Sequence, residues 1–493
     1  MSNNIIIPSG MEAHEAKYTE SPLPEHNSNP FIQALPPLVN RQEVIKRLTM
    51  NPSYKEEERK LDSIYRVHIL QRLYKFFQPL PIHIQIWNMI NTSITQGYIA
   101  RNPFDKDYKR YVNETGKQII NGTYEINRPV NFRTTASSGI LIGFSGMGKT
   151  TAVNAVLRHI PQIIIHDRYN DKHFSQIQLT YLTLQAPHNS SLKALCLQFF
   201  MKIDELLHTN NFKKYISRNL SVDAMLPLMG QVAQNIGLGI LVIDEIQHLQ
   251  NRGIQQMMNY FVTLMNSFGV SIIFIGTPAS YPIFQNELRI ARRVSGSGEI
   301  IWNNMENDQE FIFFLDSIWR FQWTRKFTPL DDELIAVFYE ETQGISDLIV
   351  KLFVNAQQMA IESGKEELTV RIIKKVAETQ FRLMKPMLDA IRSGNPYKIS
   401  QYEDIRKIEI TNSPTRVMNE QAITKNEKEK IEIKKLMTSK TTVPKEKRMI
   451  KASDYKEDDI RSMFVHAVKN GKSSYQLLLE SGHIDDMAGW KEW

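Results

Sequence analysis

Short β-rich apolar runs stand in the middle of the chain, SSGILIGFS, QIQLTYLTL, GILVIDEI, VSIIFIGTP and GEIIWN, with helix-like windows between them. Strands that read apolar throughout are buried on both faces, so these runs predict a parallel sheet covered by helices, an α/β core over residues 131–305. Residues 306–396 then turn helical, with Ile349, Leu352, Phe353 and Ala356 at helical spacing, and predict a compact helical subdomain. Upstream, residues 41–130 alternate EEERKLDSIYRVHILQRLYKFF and PIHIQIWNMINTSITQGYI with polar turns, which predicts a small helical region. The first forty residues hold six prolines and end in NPFIQALPPL; they predict an extended arm, of the kind that docks an apolar motif on a partner. Beyond Ser393-Gly394-Asn395-Pro396, residues 397–493 predict a flexible basic linker and a short partner-binding tail.

Composition narrows the class. With 42% hydrophobic and 23% charged residues among 493, the chain matches an ordinary globular protein of several domains. No apolar run approaches the roughly 20 residues of a membrane span, and MSNNIIIPSGMEAHE lacks the basic start and apolar stretch of a secretory signal, so a cytoplasmic protein without membrane contact is expected. The single cysteine, Cys196, forms no internal disulfide and reads as a core residue on a helix. The net charge of +7 points to a polyanionic partner only loosely. Its placement says more: residues 421–451 hold ten Lys/Arg against four Glu, whereas the last 42 residues hold five Lys/Arg against eight Asp/Glu.

The candidate chemistry begins at Gly143-Phe144-Ser145-Gly146-Met147-Gly148-Lys149-Thr150, which fits the phosphate-loop pattern between a strand-like run and the helix-like TAVNAVLRHI. Backbone N–H groups from Gly143 through Thr151 would cradle phosphate at a helix N-terminus, Lys149 would add charge near the terminal phosphates, and the Thr150 hydroxyl would bind Mg²⁺. Ninety-five residues after Lys149, the apolar run Ile240–Ile243 ends in Asp244-Glu245. Strand ends are where open α/β sheets place ligands. There Asp244 would hold Mg²⁺ through water and Glu245 would orient and deprotonate the attacking water, a pairing that favours ATP hydrolysis over phosphoryl transfer to a second substrate. The next strand ends in Gly276-Thr277-Pro278, making Thr277 a candidate γ-phosphate sensor or an ordinary turn threonine. Arg289, Arg292 and Arg293 suit a charge-stabilising role supplied to a neighbouring subunit, or else form a solvated helix face.

Together the phosphate loop, LVIDEIQHL, the strand ending GTP, the ELRIARR run and the helical subdomain resemble AAA+ ATPases. LVIDEIQHL, NYFVTLMN, QGISDLIVKLFVNAQ and KPMLDAIRSGNP, with NPFIQALPPL, FFQPL and GYIARNP outside the core, are similar to the TnsC family, the AAA+ target-selection ATPases of transposons with a TnsA and TnsB transposase. The resemblance spans about residues 29–405 and implies an AAA+ P-loop core with a helical lid. It also implies ATP-dependent assembly on duplex DNA as rings or helical filaments, recruitment by a TnsD- or TniQ-type target selector, and delivery of the target to TnsA and TnsB. One departure from general AAA+ practice is Asp347, where many members carry an arginine in a G-x-x-R lid pattern; Lys351, one turn on, is the candidate replacement. By the same resemblance, helices after the second core strand face DNA, which singles out Lys193, Lys213, Lys214 and Arg218; solvated helix charges are the alternative. No base-reading motif is visible, so binding is expected to be non-specific. The core motifs alone also fit a helicase loader or replication initiator, or a nucleotide-switched scaffold.

Overall fold

The computed structural model describes residues 4–121, 133–188, 190–216, 221–249, 253–285, 296–399, 401–402 and 404. Met1–Glu409 form one compact unit; the other, Ile410–Trp493, lies outside the described residues, as do the lysine run and acidic tail. Five strands, β3 (Ser138–Gly143), β6 (Tyr181–Gln185), β7 (Ile240–Asp244), β8 (Ser271–Gly276) and β9 (Glu299–Trp302), form a sheet in the order β6-β7-β8-β3-β9. Every pairing in it is parallel. All residues of β3, β7 and β8 are buried, which is why their sequences are apolar throughout. Side chains still alternate between two clusters. Leu141, Val242 and Ile273 pack with helices Pro81–Ile99 and Lys149–Leu157, while Ile140, Leu241, Ile243 and Phe274 pack with helices Leu192–Leu207, Val222–Asn235 and Ile254–Phe268.

The run QIQLTYLTL is two strands, not one. β5 (Lys172–Leu179) belongs to a second sheet, and the chain crosses to β6 at Thr180, whose hydroxyl donates to the Pro161 carbonyl at 2.6 Å and whose N–H donates to Gln162 at 2.9 Å. No glycine or proline marks the switch. The second sheet runs β1 (Asn4–Ile6), β2 (Glu12–Glu15), β4 (Ile163–Tyr169), β5, with β2 and β4 parallel and the other pairs antiparallel. The N-terminal residues are therefore docked on their own chain. Phe31 is buried against Tyr98, His166 and Phe174, and Asn29 donates to the Tyr98 carbonyl at 2.7 Å.

The helical region after residue 40 is joined to its surroundings on two sides. Helix Pro81–Ile99 lies on the sheet, where Arg101, buried just beyond its end, donates to the carbonyls of Gly97 (2.6 Å) and Leu238 (2.7 Å). Arg66 is buried and forks onto both oxygens of Glu366 (2.7 and 2.6 Å), and Trp323 Nε1 donates to Glu58 at 2.9 Å, which fastens this region to the helices that follow the sheet. Those helices, Gln309–Trp319, Asp332–Thr342, Ser346–Glu362, Val370–Gln380 and Lys385–Ser393, build the subdomain expected from the sequence periodicity. Among the described residues no helix is long and apolar enough to cross a membrane.

The subdomain meets the segment that leaves β9 at Gly344, which has φ +69° and would place a Cβ 2.0 Å from the Met305 carbonyl oxygen. Gly364 has the same φ with no atom within 4 Å of such a Cβ. Gly364→Ala should therefore cost only the left-handed backbone penalty, about 1 kcal/mol, and Gly344→Ala at least about 2 kcal/mol in urea unfolding. Equal losses at the two positions would refute the close-approach argument.

Candidate nucleotide site

The carboxyl ends of β3, β7 and β8 converge on one loop. β3 delivers Gly143, the chain turns through Gly146 (φ +82°) and Gly148 (φ +89°), and helix Lys149–Leu157 begins immediately after. The left-handed glycines let successive N–H groups turn into a concave nest at the helix start, a preformed anion site. Met147 is buried in the core and contributes only backbone here, whereas Ser145, Thr150 and Thr151 are exposed. The Lys149 ammonium folds onto the loop, donating to the carbonyls of Gly143 (2.8 Å) and Phe144 (2.9 Å). Burial lowers its pKa, opposed by the carboxylates of Glu245, Asp244 and Asp404.

Across the end of β8, the Thr150 hydroxyl donates to Asp244 Oδ2 at 2.7 Å, while Asp244 Oδ1 accepts the Glu245 N–H at 2.8 Å. A hydroxyl and a carboxylate in contact are the hard oxygen ligands that Mg²⁺ prefers, so the donor set fits that ion. Glu245 follows at φ +57°, a left-handed conformation that costs a non-glycine residue of order 1–3 kcal/mol and is held by its surroundings. Thr277, at the exit of β8, is 5% exposed, and its hydroxyl has no hydrogen-bond partner among the described residues. Gln247 stands between them: its amide oxygen accepts the Thr277 N–H at 3.1 Å and its nitrogen donates to Glu245 Oε2. Gln247 sits two residues beyond Glu245 and has no role legible in the sequence.

Beside the loop opens a cavity of about 160 Å³, bounded by Gly146, Gly148 and Thr151, by Ser346, Asp347 and Val350, and by Tyr74, Phe77 and His83. The last three come from the helical region whose role sequence reasoning had left unread. His83 is buried, with its ring edge-on to Phe77 and Trp302, and Nδ1 accepts the Leu80 N–H at 2.8 Å. Burial pushes its pKa down to about 4, so the ring is neutral near pH 7. On the opposite wall, the Asp347 N–H (3.0 Å) and the Ser346 hydroxyl (3.1 Å) donate to the Gly146 carbonyl, which ties the start of helix Ser346–Glu362 to the phosphate loop. Lys351 is paired with Asp347 at 2.6 Å, both partly exposed.

The remaining sequence candidates fall into two groups. Arg289, Arg292, Arg293 and Arg218 lie outside the described residues. Lys193 is exposed in the first turn of helix Leu192–Leu207, and Lys213 and Lys214 are exposed on helix Asn211–Ile216, with Lys214 Nζ 5.3 Å from the centre of the Tyr215 ring. Among the described salt bridges, none involves these three lysines.

Residues 132–284, which hold β3 to β8 with the loop and the acidic pair, match the family model described as AAA domain. The chain has an AAA+ P-loop fold. Among solved structures, the chain is similar to Orc1 of Aeropyrum pernix in complex with DNA, at 16% identity and TM-score 0.35 over 60% of this chain and 78% of that one. It is also similar to the Walker-type ATPase paby2304 of Pyrococcus abyssi, at 16% identity and TM-score 0.34 over 66% and 89%. A third is the RuvB Holliday junction branch migration motor of Thermotoga maritima, at 13% identity and TM-score 0.29 over 58% and 76%. No curated protein matches the chain.

Two buried neutral histidines give the fold an acid limit. His166, bonded to Tyr18 (2.8 Å) and Gln178 (2.8 Å), also has its pKa pushed down to about 4 by burial. Unfolded, both rings titrate near 6.5, so between pH 6.5 and 4 the unfolded chain binds protons that the folded chain does not. Stability is fully present above pH 6.5 and falls as pH drops through that window, by about 2 kcal/mol per ring between pH 7 and pH 5. Urea midpoints at the two pH values test this, and His83→Gln should remove about half of the histidine-dependent slope. A midpoint unchanged from pH 7 to pH 5 would refute the assignment.

Proposed function

We propose that this chain binds and hydrolyses ATP at the phosphate loop and uses the cycle to assemble on duplex DNA. The observation that carries the nucleotide reading is the Thr150–Asp244 contact, with Glu245 next in the chain and an unpartnered Thr277 hydroxyl on the adjoining strand end. Loop N–H groups and Lys149 hold the phosphates, and the cavity lined by Tyr74, Phe77, His83 and Val350 takes the base. Thr150 and Asp244 would hold Mg²⁺, which supplies charge neutralisation between the terminal phosphates. Glu245 takes a proton from water as the water oxygen bonds to the γ-phosphorus; the bond from that phosphorus to the β–γ bridging oxygen breaks, releasing ADP and phosphate. Arg289, Arg292 and Arg293 are the candidates for an arginine donated to a neighbouring subunit, and Lys351 for a contact from the lid.

The finer reading, a TnsC-like adaptor between a target selector and the transposase, rests on the sequence motifs quoted above. Exposed Lys193, Lys213 and Lys214 suit non-specific phosphate contact. Glu245→Gln should retain ATP binding and slow turnover about 10²- to 10⁴-fold, whereas Lys149→Ala should abolish both binding and turnover. Co-sedimentation with duplex DNA should require ATP, with ADP and nucleotide-free protein left in solution; equal pelleting in all three states would refute ATP-driven assembly. Capture of a TnsB-type transposase supports the adaptor, and capture of a replicative helicase instead would replace it with a loader.

A further inference from the structure

The Gln247 amide is engaged at both ends, and its orientation is not free. A backbone N–H only donates and an ionised carboxylate only accepts, so a single arrangement satisfies Thr277 N–H and Glu245 Oε2 together. The one-turn helix that carries it, Ile246–His248, is pinned by Ile246, which is fully buried against Gly276; a Cβ on Gly276 would lie 2.5 Å from Ile246 Cγ2. The Gln247 side chain thus spans from the end of β7 to the exit of β8 from a fixed base. At one end of the span is a glutamate in a left-handed conformation, which persists only where neighbours hold it. At the other is the residue whose buried hydroxyl lacks a partner among the described residues and stays unsatisfied until a polar group reaches it.

We infer that Gln247 is a positioning residue that holds the Glu245 carboxylate and ties its placement to Thr277. A terminal phosphate oxygen engaging the Thr277 hydroxyl is then felt, through two hydrogen bonds in series, at the carboxylate that takes the proton from water. Gln247 itself touches no nucleotide. The inference rests on the ATP hydrolysis proposed above and adds the link between its sensor and its base.

The test uses the full-length protein. Gln247→Met keeps the length and unbranched shape of the side chain and removes both hydrogen bonds. The expected result is a fall in kcat of about 10- to 100-fold with the Kd for a fluorescent ATP analogue held within about twofold. In a Glu245→Gln background the same change should alter the residual rate by less than about twofold, because Gln247 acts through Glu245. Normal turnover by Gln247→Met in a protein that Glu245→Gln inactivates would overturn the inference and leave the proposed activity standing. A loss that persists undiminished in the Glu245→Gln background, or one accompanied by loss of analogue binding, would also overturn it by making Gln247 part of the fold alone. A wild-type chain without ATPase activity would remove the proposed function itself, and this inference with it.

Discussion

Everything at the candidate site depends on β3 and β7 running parallel with β8 between them. Adjacent strands lie about 4.8 Å apart, so the chain ends of β3 and β7 are roughly 10 Å apart, too far for backbone contact and right for a bridge of two short side chains. Thr150, one residue into the helix that follows β3, and Asp244, the last residue of β7, make that bridge at 2.7 Å. The register Ile142↔Gly276 and Ile243↔Phe274 brings the exit of β8 under it, so Thr277 is placed between the two ends by sheet geometry rather than by any loop. An antiparallel β8 would have put its opposite end there. The sheet is parallel because each crossover carries a helix, and those helices bury both faces.

The same sheet recruits residues that a motif scan does not read. Pro81–Ile99 is held against it by a buried arginine whose guanidinium meets carbonyl oxygens, Arg101, and the preceding segment is fastened to the lid by Arg66 and Glu366. A buried ion pair is weak evidence of net stability, since desolvation offsets its attraction, but removing one partner strands the other at a cost of about 3–5 kcal/mol. Arg66 and Glu366 therefore serve as a registry device: they oblige the Tyr74–His83 segment and the lid to keep a fixed relation. That relation gives the cavity beside the phosphate loop two of its three walls.

Legibility in the sequence followed locality. The phosphate loop and the Asp244-Glu245 pair are contiguous, and the apolar runs that became β3, β7 and β8 owe their composition to burial on both faces, so each could be read without knowing its neighbours. What escaped depends on contacts between distant residues. Thr180 ends one sheet and starts another by bonding to Pro161 and Gln162, with nothing in QIQLTYLTL to announce it. Phe77 and His83 read as ordinary helix-region residues until Trp302 of β9 is placed against the histidine ring. Gln247 is an unremarkable polar residue in DEIQHL until the ends of β7 and β8 stand side by side.

The lid departure is resolved differently from what its motif suggests. With aspartate in the place where many relatives carry arginine, the lid's nearest contribution to the phosphate loop is a helix start, not a cation: the Asp347 N–H and Ser346 hydroxyl close on the Gly146 carbonyl. Lys351 is already paired with Asp347, an exposed i,i+4 pair worth only about 0.3–0.5 kcal/mol, so its charge is available to a phosphate at small cost. The backbone contact is the more constraining of the two. Gly146 lies in the left-handed turn that forms the anion nest, and any phosphate that draws the nest's N–H groups inward acts on a peptide whose carbonyl is bonded to the lid. Lid position and loop shape are therefore coupled through hydrogen bonds to the Gly146 carbonyl that do not use the side chain at position 347, which is free to be acidic.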